Sequence, residues 1–269
     1  MRWRRKRKKR KKNKVKFDTH VHTVFSPDSR ETMARQCERA VELGLSGLCF
    51  TEHQDFDALS LDYYDPEAYF EEIYRLREQY AGRLSILAGL ELSEPHRHRK
   101  ELEQAQKRPY DFILGSVHYW LGGLFPSQMR DRGMDVSACY KRYWEHMLLM
   151  ARCGGFDCVA HFDFPKRYFK SLEYDPGMID EIMGAMLENK LILEINTSSL
   201  RRGLDEPLPC EALLRRYTAH GGRYVTLASD AHKAEELYEG VPEAQALAEG
   251  LGLEAVRFVN RKMVKKDFS

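Results

Sequence analysis

Short apolar runs alternate along the chain with longer segments in which apolar residues recur at helical spacing. The apolar runs are typical of buried strands. Seven such runs lie at residues 15–19, 45–51, 84–90, 110–117, 157–160, 191–196 and 223–228. The intervening segments predict helices over 30–43, 66–80, 101–107, 137–152, 176–189, 209–220 and from 234 to about 250. A further short run at 255–260 predicts one more strand.

Residues at the ends of these segments support the helix predictions. Gly44 follows the first helical segment as a stop signal, and Pro66 opens the second. Ser137 is predicted to be the N-cap of the 137–152 helix, because its hydroxyl can accept a hydrogen bond from the first turn.

Strands that alternate with helices indicate a parallel sheet, and continuous apolar strands indicate a sheet that is buried on both faces. An open, doubly wound sheet fits this pattern as well as a closed barrel does. Almost every predicted strand is followed by a residue that can bind a metal, and a barrel gathers all such strand ends on one face. The pattern therefore predicts an α/β fold with seven βα units closed into a (βα)7 barrel.

The length and charge of the chain divide it into a tail and one domain. The 269 residues match the usual length of one α/β barrel, so residues 15–269 are expected to form a single domain. Residues 2–16 hold twelve Lys and Arg, whereas the rest of the chain holds 31 against 41 Asp and Glu. The tail, residues 1–14, is expected to be solvated and disordered; the alternative is a contact with nucleic acid or an anionic membrane.

The chain has no run of eighteen apolar residues and no apolar signal-peptide core after the basic start. A membrane span and secretion are therefore not expected. The six cysteines form no Cys-x-x-Cys pair, which favours free thiols and a cytoplasmic location.

Ionisable residues with metal-binding side chains stand at the predicted strand ends. In chain order they are Asp18, His20, His22 and Asp28, then Glu52 and His53, then Glu91, His118, His161 and Glu194, and last Asp230 and His232. Residues two positions apart in an extended segment point to the same side, so His20 and His22 can bind one ion or two adjacent ions.

A single histidine at a strand end is more often a hydrogen-bonded residue than a ligand. Candidate ligands at the ends of six strands favour a metal site, since burying this many ionisable groups together costs free energy unless a metal ion binds them. Imidazole and carboxylate ligands without cysteine suit Zn, Mn or Fe and argue against a closed structural zinc site. The remaining histidines fall in helical or loop segments and are predicted to be solvated: His96, His98, His146 and His220.

Several of these segments resemble motifs of the polymerase-and-histidinol-phosphatase (PHP) superfamily. Residues 17–29 (FDTHVHTVFSPDS) resemble its first motif. The segments similar to its later motifs follow in the family order, at 50–53 (FTEH), 89–91 (GLE), 115–118 (GSVH), 160–163 (AHFD) and 229–232 (SDAH). Residues 193–201 (LEINTSSLR) resemble the histidinol-phosphatase branch. The resemblance runs from about residue 15 to 260.

The resemblance implies a distorted, TIM-like (βα)7 barrel with three metal ions at the C-terminal ends of its strands. By similarity, the first ion would be held by His20, His22, Glu91 and Asp230. The second would be held by Glu91, His118 and His161. The third would be held by Asp28, His53 and His232. No position of this ligand set is missing from the chain.

The implied chemistry is metal-dependent hydrolysis of a phosphomonoester, with a metal-activated hydroxide as nucleophile. Asp230 and His232 are candidates for positioning the water or passing a proton, and Glu91 for bridging two ions. Arg167 and Arg201 resemble the phosphate-contacting positions of the branch; Arg202 is a weaker candidate. Other candidate residues are Asp18 and Glu52, expected to orient ligand imidazoles, and Asp163 and Glu94, considered as an acidic lining for a cationic substrate.

Three functions remain open from the sequence. The histidinol-phosphatase branch implies hydrolysis of histidinol phosphate in histidine biosynthesis. The same chemistry on another small phosphomonoester, or on nucleic-acid ends, is the first alternative. A non-catalytic metal- or nucleic-acid-binding protein is the second. The acidic body of the chain argues against nucleic acid, and the complete ligand set argues against a non-catalytic protein.

Overall fold

A computed structural model of the chain describes residues 16–57, 60 and 63–265. The predicted basic tail, residues 1–14, lies outside the described residues. The strands of the main sheet are β1 (Phe17–Val21), β2 (Gly47–Gln54), β3 (Ser85–Ser93), β4 (Phe112–Ser116), β5 (Cys158–Val159), β6 (Ile192–Asn196), β7 (Tyr224–Ala228) and β8 (Glu254–Ala255). An antiparallel hairpin, β9 (Arg257–Val259) and β10 (Lys262–Val264), follows them.

Helices connect the strands and cover the outside of the sheet. They are α1 (Met33–Glu42), α2 (Pro66–Gln79), α3 (Arg99–Lys107), α4 (Pro126–Asp131), α5 (Val136–Cys153), α6 (Lys166–Phe169), α7 (Pro176–Glu188), α8 (Ser198–Arg201), α9 (Glu211–Ala219) and α10 (Val241–Gly250). Within the described residues, no helix is both long enough and apolar enough to cross a membrane.

The eight strands of the main sheet pair in chain order and all run parallel. The sheet curls until β1 meets the residues that follow β7. The His22 amide donates to the Ala231 carbonyl at 2.8 Å, and the Asp230 amide donates to the His20 carbonyl at 3.0 Å. β8 pairs with the first residues of β7. This joins β1 and β7 at their C-terminal ends and confirms the prediction of a distorted, TIM-like α/β barrel.

The core fills the barrel and the space between the sheet and its helices. Strand residues such as Leu48, Leu90 and Leu193 are fully buried, as expected for a sheet that is covered on both faces. The amphipathic helices supply the outer layer, for example Ile73 on α2 and Met183 on α7.

Several local predictions need correction. Asp135, rather than Ser137, caps α5: its carboxylate accepts from the Ser137 and Ala138 amides. The helix predicted from 234 to about 250 is interrupted after a 3₁₀ turn at Ala234–Glu236, because Gly240 adopts a left-handed conformation with φ of 75°. The strand predicted at 255–260 is divided between β8 and β9.

Candidate metal centre

The C-terminal ends of the strands bring together the histidines and carboxylates predicted as ligands. His20 lies in β1, His53 in β2 and Glu91 in β3, while His118 and His161 directly follow β4 and β5. Because the strands are parallel, these side chains meet at one end of the barrel. His161 and Asp230 have φ of 25° and 55°, and such unusual backbone conformations cluster at functional sites.

Glu91 lies at the centre of the cluster, and its side chain is almost completely buried. Its Oε2 is 3.1 Å from His20 Nε2 and 3.1 Å from His53 Nδ1. Its Oε1 is 2.8 Å from His161 Nε2 and 3.3 Å from His118 Nε2. His22 Nε2 also lies 3.5 Å from Oε2. The two carboxylate oxygens therefore face different imidazoles, the arrangement that a bridging ligand requires.

Two groups of candidate ligands are deeply buried. Their ligand atoms lie within 4.8 Å of one another in each group: His20, His22 and Asp230 form one, and Glu91, His118 and His161 form the other. In the first, His22 Nε2 is 2.8 Å from His20 Nε2 and 3.4 Å from Asp230 Oδ1. In the second, the two imidazole Nε2 atoms are 3.4 Å apart. The first group contains three of the four residues predicted for the first ion, without Glu91, and the second contains the three residues predicted for the second ion.

The third predicted set lies at the mouth of the barrel. Asp28 Oδ2 is 3.0 Å from His232 Nε2 and 3.6 Å from His53 Nε2. The Asp28 side chain is 56% exposed, whereas that of His53 is only 10% exposed. His53 and His232 also form a close group with His22, so this set adjoins the first one.

The carboxylates of the cluster are stabilised in their charged form. Burial raises the pKa of Glu91, but His20, His53 and His118 outweigh burial and hold that pKa well below its usual range. Burial likewise raises the pKa of Asp230, and His20 and other neighbours, including Arg167, outweigh it. The cluster therefore requires positive charge close to these carboxylates.

A bound metal ion would supply that positive charge, and the histidine ring nitrogens of the cluster are suited to bind one. Burial and the neighbouring His53 and His232 hold the pKa of His22 well below its usual value, which keeps this imidazole neutral, as a ligand must be. The buried His53 Nδ1 makes no hydrogen bond within the described residues, although it lies 3.1 Å from Glu91 Oε2. Burial lowers the pKa of His20, His53 and His118, but the neighbouring carboxylates outweigh it, so each of these imidazoles would release a proton on binding an ion. Imidazole and carboxylate groups together form a donor set suited to Zn, Mn or Fe.

Two further carboxylates hold imidazoles of the cluster in place. Glu194 Oε1 is 2.6 Å from His20 Nδ1, and Asp55 Oδ1 is 3.0 Å from His118 Nδ1. Glu194 was predicted only as an ionisable residue at a strand end, and Asp55 was not predicted as part of the site. Asp55 stands two positions after His53 in the chain, so period-two alternation could have identified it. Glu194 is a charged residue inside an otherwise apolar strand, and this position could have indicated that it contacts a ligand imidazole.

Glu52 and Asp18 act differently from one another. Glu52 accepts a hydrogen bond of 2.6 Å from the Ser26 hydroxyl, and Ser26 Oγ lies 3.1 Å from His22 Nδ1. Glu52 therefore reaches an imidazole through Ser26. Asp18 instead accepts hydrogen bonds from backbone amides, including that of Ser229 at 3.0 Å. It ties β1 to the segment that carries Asp230, so its contacts differ from the predicted contact with an imidazole.

The two arginines predicted to contact phosphate have different surroundings. Arg167 is buried beside the cluster, where its Nη2 lies 2.9 Å from Asp230 Oδ2 and also contacts Ser198 Oγ. Arg201 is not among the residues that line the neighbouring cavity, and it donates to the Ser229 and Asp230 carbonyls at 2.8 and 3.1 Å. Its neighbour Arg202 lines the cavity instead.

The cluster opens into a cavity of about 570 Å³, which is the right size for a small-molecule site. Arg167, Asp230, His232 and Glu91 are among its lining residues. Glu94 and Asp163, which were considered as an acidic lining, are not among them.

Both of those carboxylates instead accept from backbone amides. Glu94 accepts from His118 at 2.6 Å and Asp163 accepts from Cys210 at 3.1 Å. Burial raises the pKa of Glu94 to about 7 and that of Asp163 to about 6.

The histidines predicted to be solvated lie outside the candidate ligand groups. His96 Nε2 is 2.9 Å from His146 Nδ1, so these two side chains pair with one another and are only partly exposed. His98 stacks on Phe56 with ring centroids 3.7 Å apart. The prediction of solvated side chains is therefore wrong for His96, His98 and His146, because each makes a specific contact.

Comparison with known proteins agrees with this geometry. The chain is 32% identical over 260 residues to a protein of Deinococcus radiodurans named "Probable histidinol-phosphatase", covering 91% of this chain and 97% of that one. It is 29% identical over 268 residues to the histidinol-phosphatase of Lactococcus lactis, covering 93% and 97%.

A solved structure shares the fold. The crystal structure of histidinol phosphate phosphatase from Lactococcus lactis, complexed with zinc, L-histidinol and phosphate, superimposes with a TM-score of 0.76. It is 24% identical in sequence and covers 94% of this chain and 100% of that one. The family model described as PHP domain matches residues 18–198, and the chain therefore belongs to the PHP domain family.

Proposed function

We propose that this chain is a metal-dependent phosphomonoesterase that hydrolyses L-histidinol phosphate to L-histidinol and phosphate in histidine biosynthesis. The observation that carries the proposal is Glu91, a buried carboxylate whose two oxygens face separate sets of imidazoles at the base of the cavity. The names of the similar proteins from Deinococcus radiodurans and Lactococcus lactis support the choice of substrate.

We assign three ions to the three ligand sets, with Glu91 shared by the first two. Bound Zn, Mn or Fe would supply a water of lowered pKa and positive charge for the phosphoryl oxygens. The two buried sets support two ions directly by their geometry, and the pairing of Asp28 with His53 and His232 supports the third. The count of three ions is part of this proposal.

The protein groups around the cavity have separate tasks in this reaction. Arg167 lines the cavity, and the N–H groups of its planar guanidinium can donate hydrogen bonds to the oxygens of a phosphoryl group. Asp230 and His232 line the same cavity, where they would position the attacking water or pass a proton to the leaving alcohol. Arg201 would act indirectly, because its hydrogen bonds fix the backbone of Asp230. Cytoplasmic localisation remains a prediction.

The test is to purify the protein, measure its metal content and compare three substrates. L-histidinol phosphate should give a higher kcat/KM than glycerol 1-phosphate, and a single-stranded DNA oligonucleotide should not be cleaved. Chelation should abolish turnover, and Zn, Mn or Fe should restore it. A preference for glycerol 1-phosphate would contradict the substrate, and activity that resists the chelator would contradict the metal mechanism.

A further inference from the structure

Four aromatic side chains form a continuous wall beside the metal cluster: Tyr119, Phe125, Phe164 and Tyr168. The ring centroids of Phe125 lie 5.6 Å from Tyr119, 5.7 Å from Phe164 and 5.3 Å from Tyr168. The Phe164 ring is 4.7 Å from that of His161, a member of the second ligand set. The aromatic wall therefore begins at the ligands and extends outward along the cavity.

A carboxylate accompanies this wall. Asp57 lines the same cavity, and its carboxylate adds to the effect of burial in raising the pKa of the neighbouring Tyr119. Among the described lining residues, the other carboxylates already have tasks: Asp28, Glu91 and Asp230 belong to ligand sets, and Asp55 pairs with His118. Asp57 thus adds negative charge to the cavity beyond that of the ligand sets and the Asp55–His118 pair.

Cationic side chains also line the cavity: Arg30, Arg167 and Arg202. The Arg167 guanidinium lies 5.0 Å from the Phe164 ring centroid and 2.9 Å from Asp230 Oδ2, where the wall meets the cluster. The ligand sets and Arg167 can serve any phosphomonoester, because every such substrate carries the same phosphate. Selection between substrates must come from groups that contact the alcohol part.

We infer that the aromatic wall and Asp57 bind the leaving alcohol, and that they select phosphomonoesters whose alcohol combines a flat ring with a positively charged nitrogen. A flat ring can stack on Tyr119 or Phe125, and a cationic nitrogen is attracted both by aromatic faces and by the Asp57 carboxylate. The inference rests on the proposed function, because L-histidinol contains an imidazole ring and an amino group.

The test compares Asp57→Asn, Phe125→Leu and the wild-type protein, all loaded with metal. The readouts are kcat/KM for L-histidinol phosphate and for glycerol 1-phosphate, whose alcohol has neither ring nor charge. In Asp57→Asn, the ratio of the two values should fall about tenfold through loss of a charge-assisted contact. In Phe125→Leu it should fall about fivefold. Asp131→Asn, an exposed carboxylate change on α4, is the matched control and should leave the ratio unchanged.

Calorimetric binding of L-histidinol separates failure of this inference from failure of the proposed function. Its Kd should rise about tenfold in Asp57→Asn. Equal losses on both substrates with an unchanged Kd would overturn the inference, while wild-type turnover of L-histidinol phosphate would still support the function. No wild-type turnover, with a Kd that still depends on Asp57, would support the cationic subsite and overturn the function. A wild-type protein that neither binds L-histidinol nor hydrolyses its phosphate would overturn both.

Discussion

Glu194 shows how a single buried residue can set the geometry of the whole cluster. Its Oε1 faces His20 Nδ1 at 2.6 Å. Its Oε2 accepts from the His161 amide at 2.9 Å and from Asn196 Nδ2 at 3.0 Å. Because the Glu194 oxygen is placed to accept from the ring, we assign a His20 proton to Nδ1. The lone pair of His20 Nε2 is therefore directed at the candidate metal centre, and Glu194 is a positioning residue.

Replacing Glu194 by Gln should weaken zinc binding and turnover by about 10- to 100-fold, the usual cost of losing such a partner. A Gln side chain offers one acceptor oxygen, and its amide group would face a hydrogen-bond donor. The measurement is a zinc titration of the metal-free protein, followed by kcat/KM at saturating zinc. Glu103→Gln, on the exposed face of α3, is the control. An unchanged zinc affinity in Glu194→Gln would contradict this positioning role.

At the scale of elements, the close approach of β2 and β3 sets the position of Glu91. Gly89 precedes Glu91 by two residues, and a Cβ at Gly89 would lie 2.9 Å from the Phe50 carbonyl oxygen and 2.6 Å from Thr51 Cγ2. The strands pair so that His53 stands beside Glu91. The absence of a side chain at Gly89 therefore allows the spacing that brings these two candidate ligands together.

Gly89→Ala should force β2 and β3 apart, because part of the obstruction is backbone and cannot rotate away. We expect a loss of about 1–3 kcal/mol in the free energy of unfolding, typical of overpacking, together with weaker metal binding. Urea denaturation of the metal-free protein and a zinc titration measure the two effects. Gly184→Ala in α7 is the matched control: its Cβ meets nothing within 4 Å, so stability should hold or rise by up to about 1 kcal/mol. If Gly89→Ala and Gly184→Ala changed the free energy of unfolding and zinc binding by the same amounts, the packing argument would be refuted.

At the scale of the whole molecule, the fold and the position of the candidate centre were predictable because their signals are local. Continuous apolar strands and a ligand at each strand end can be identified one segment at a time. The short helices α4, α6 and α8 were missed, since four to six residues are too few to show a helical period. The hydrogen bonds of Arg201 to backbone carbonyls and the contact of Glu194 with His20 were also not predicted. His20 and Glu194 are 174 positions apart, and only the closed barrel brings them together.

The opposite end of the barrel depends on a separate network that joins the C-terminal hairpin to the sheet. Asp157, just before β5, accepts from Arg261 Nε and from the Ile113 amide. Asp111, just before β4, accepts from Arg77 Nη2 at 2.7 Å and from the Asn260 amide at 2.9 Å. In barrels of this kind the N-terminal end of the strands serves stability, while the C-terminal end carries the chemistry.

Arg261→Ala should therefore lower stability and leave kcat unchanged. We expect a loss of about 1–3 kcal/mol at pH 7, because Asp157 would remain buried without its cationic partner. Burial already raises the pKa of Asp157 despite Arg261, and the variant should raise it further. A raised folded-state pKa favours the protonated form, so the loss relative to wild type should be smaller at about pH 4 than at pH 7.

Urea denaturation at both pH values, with steady-state assays at pH 7, measures these effects. Arg142→Ala, which removes an exposed pair with Glu145 on α5, is the control and should cost less than about 0.5 kcal/mol at either pH. A fall in kcat for Arg261→Ala without a change in stability would show that the two ends of the barrel are coupled. In that case, the separation of stability from chemistry inferred for this fold would be wrong.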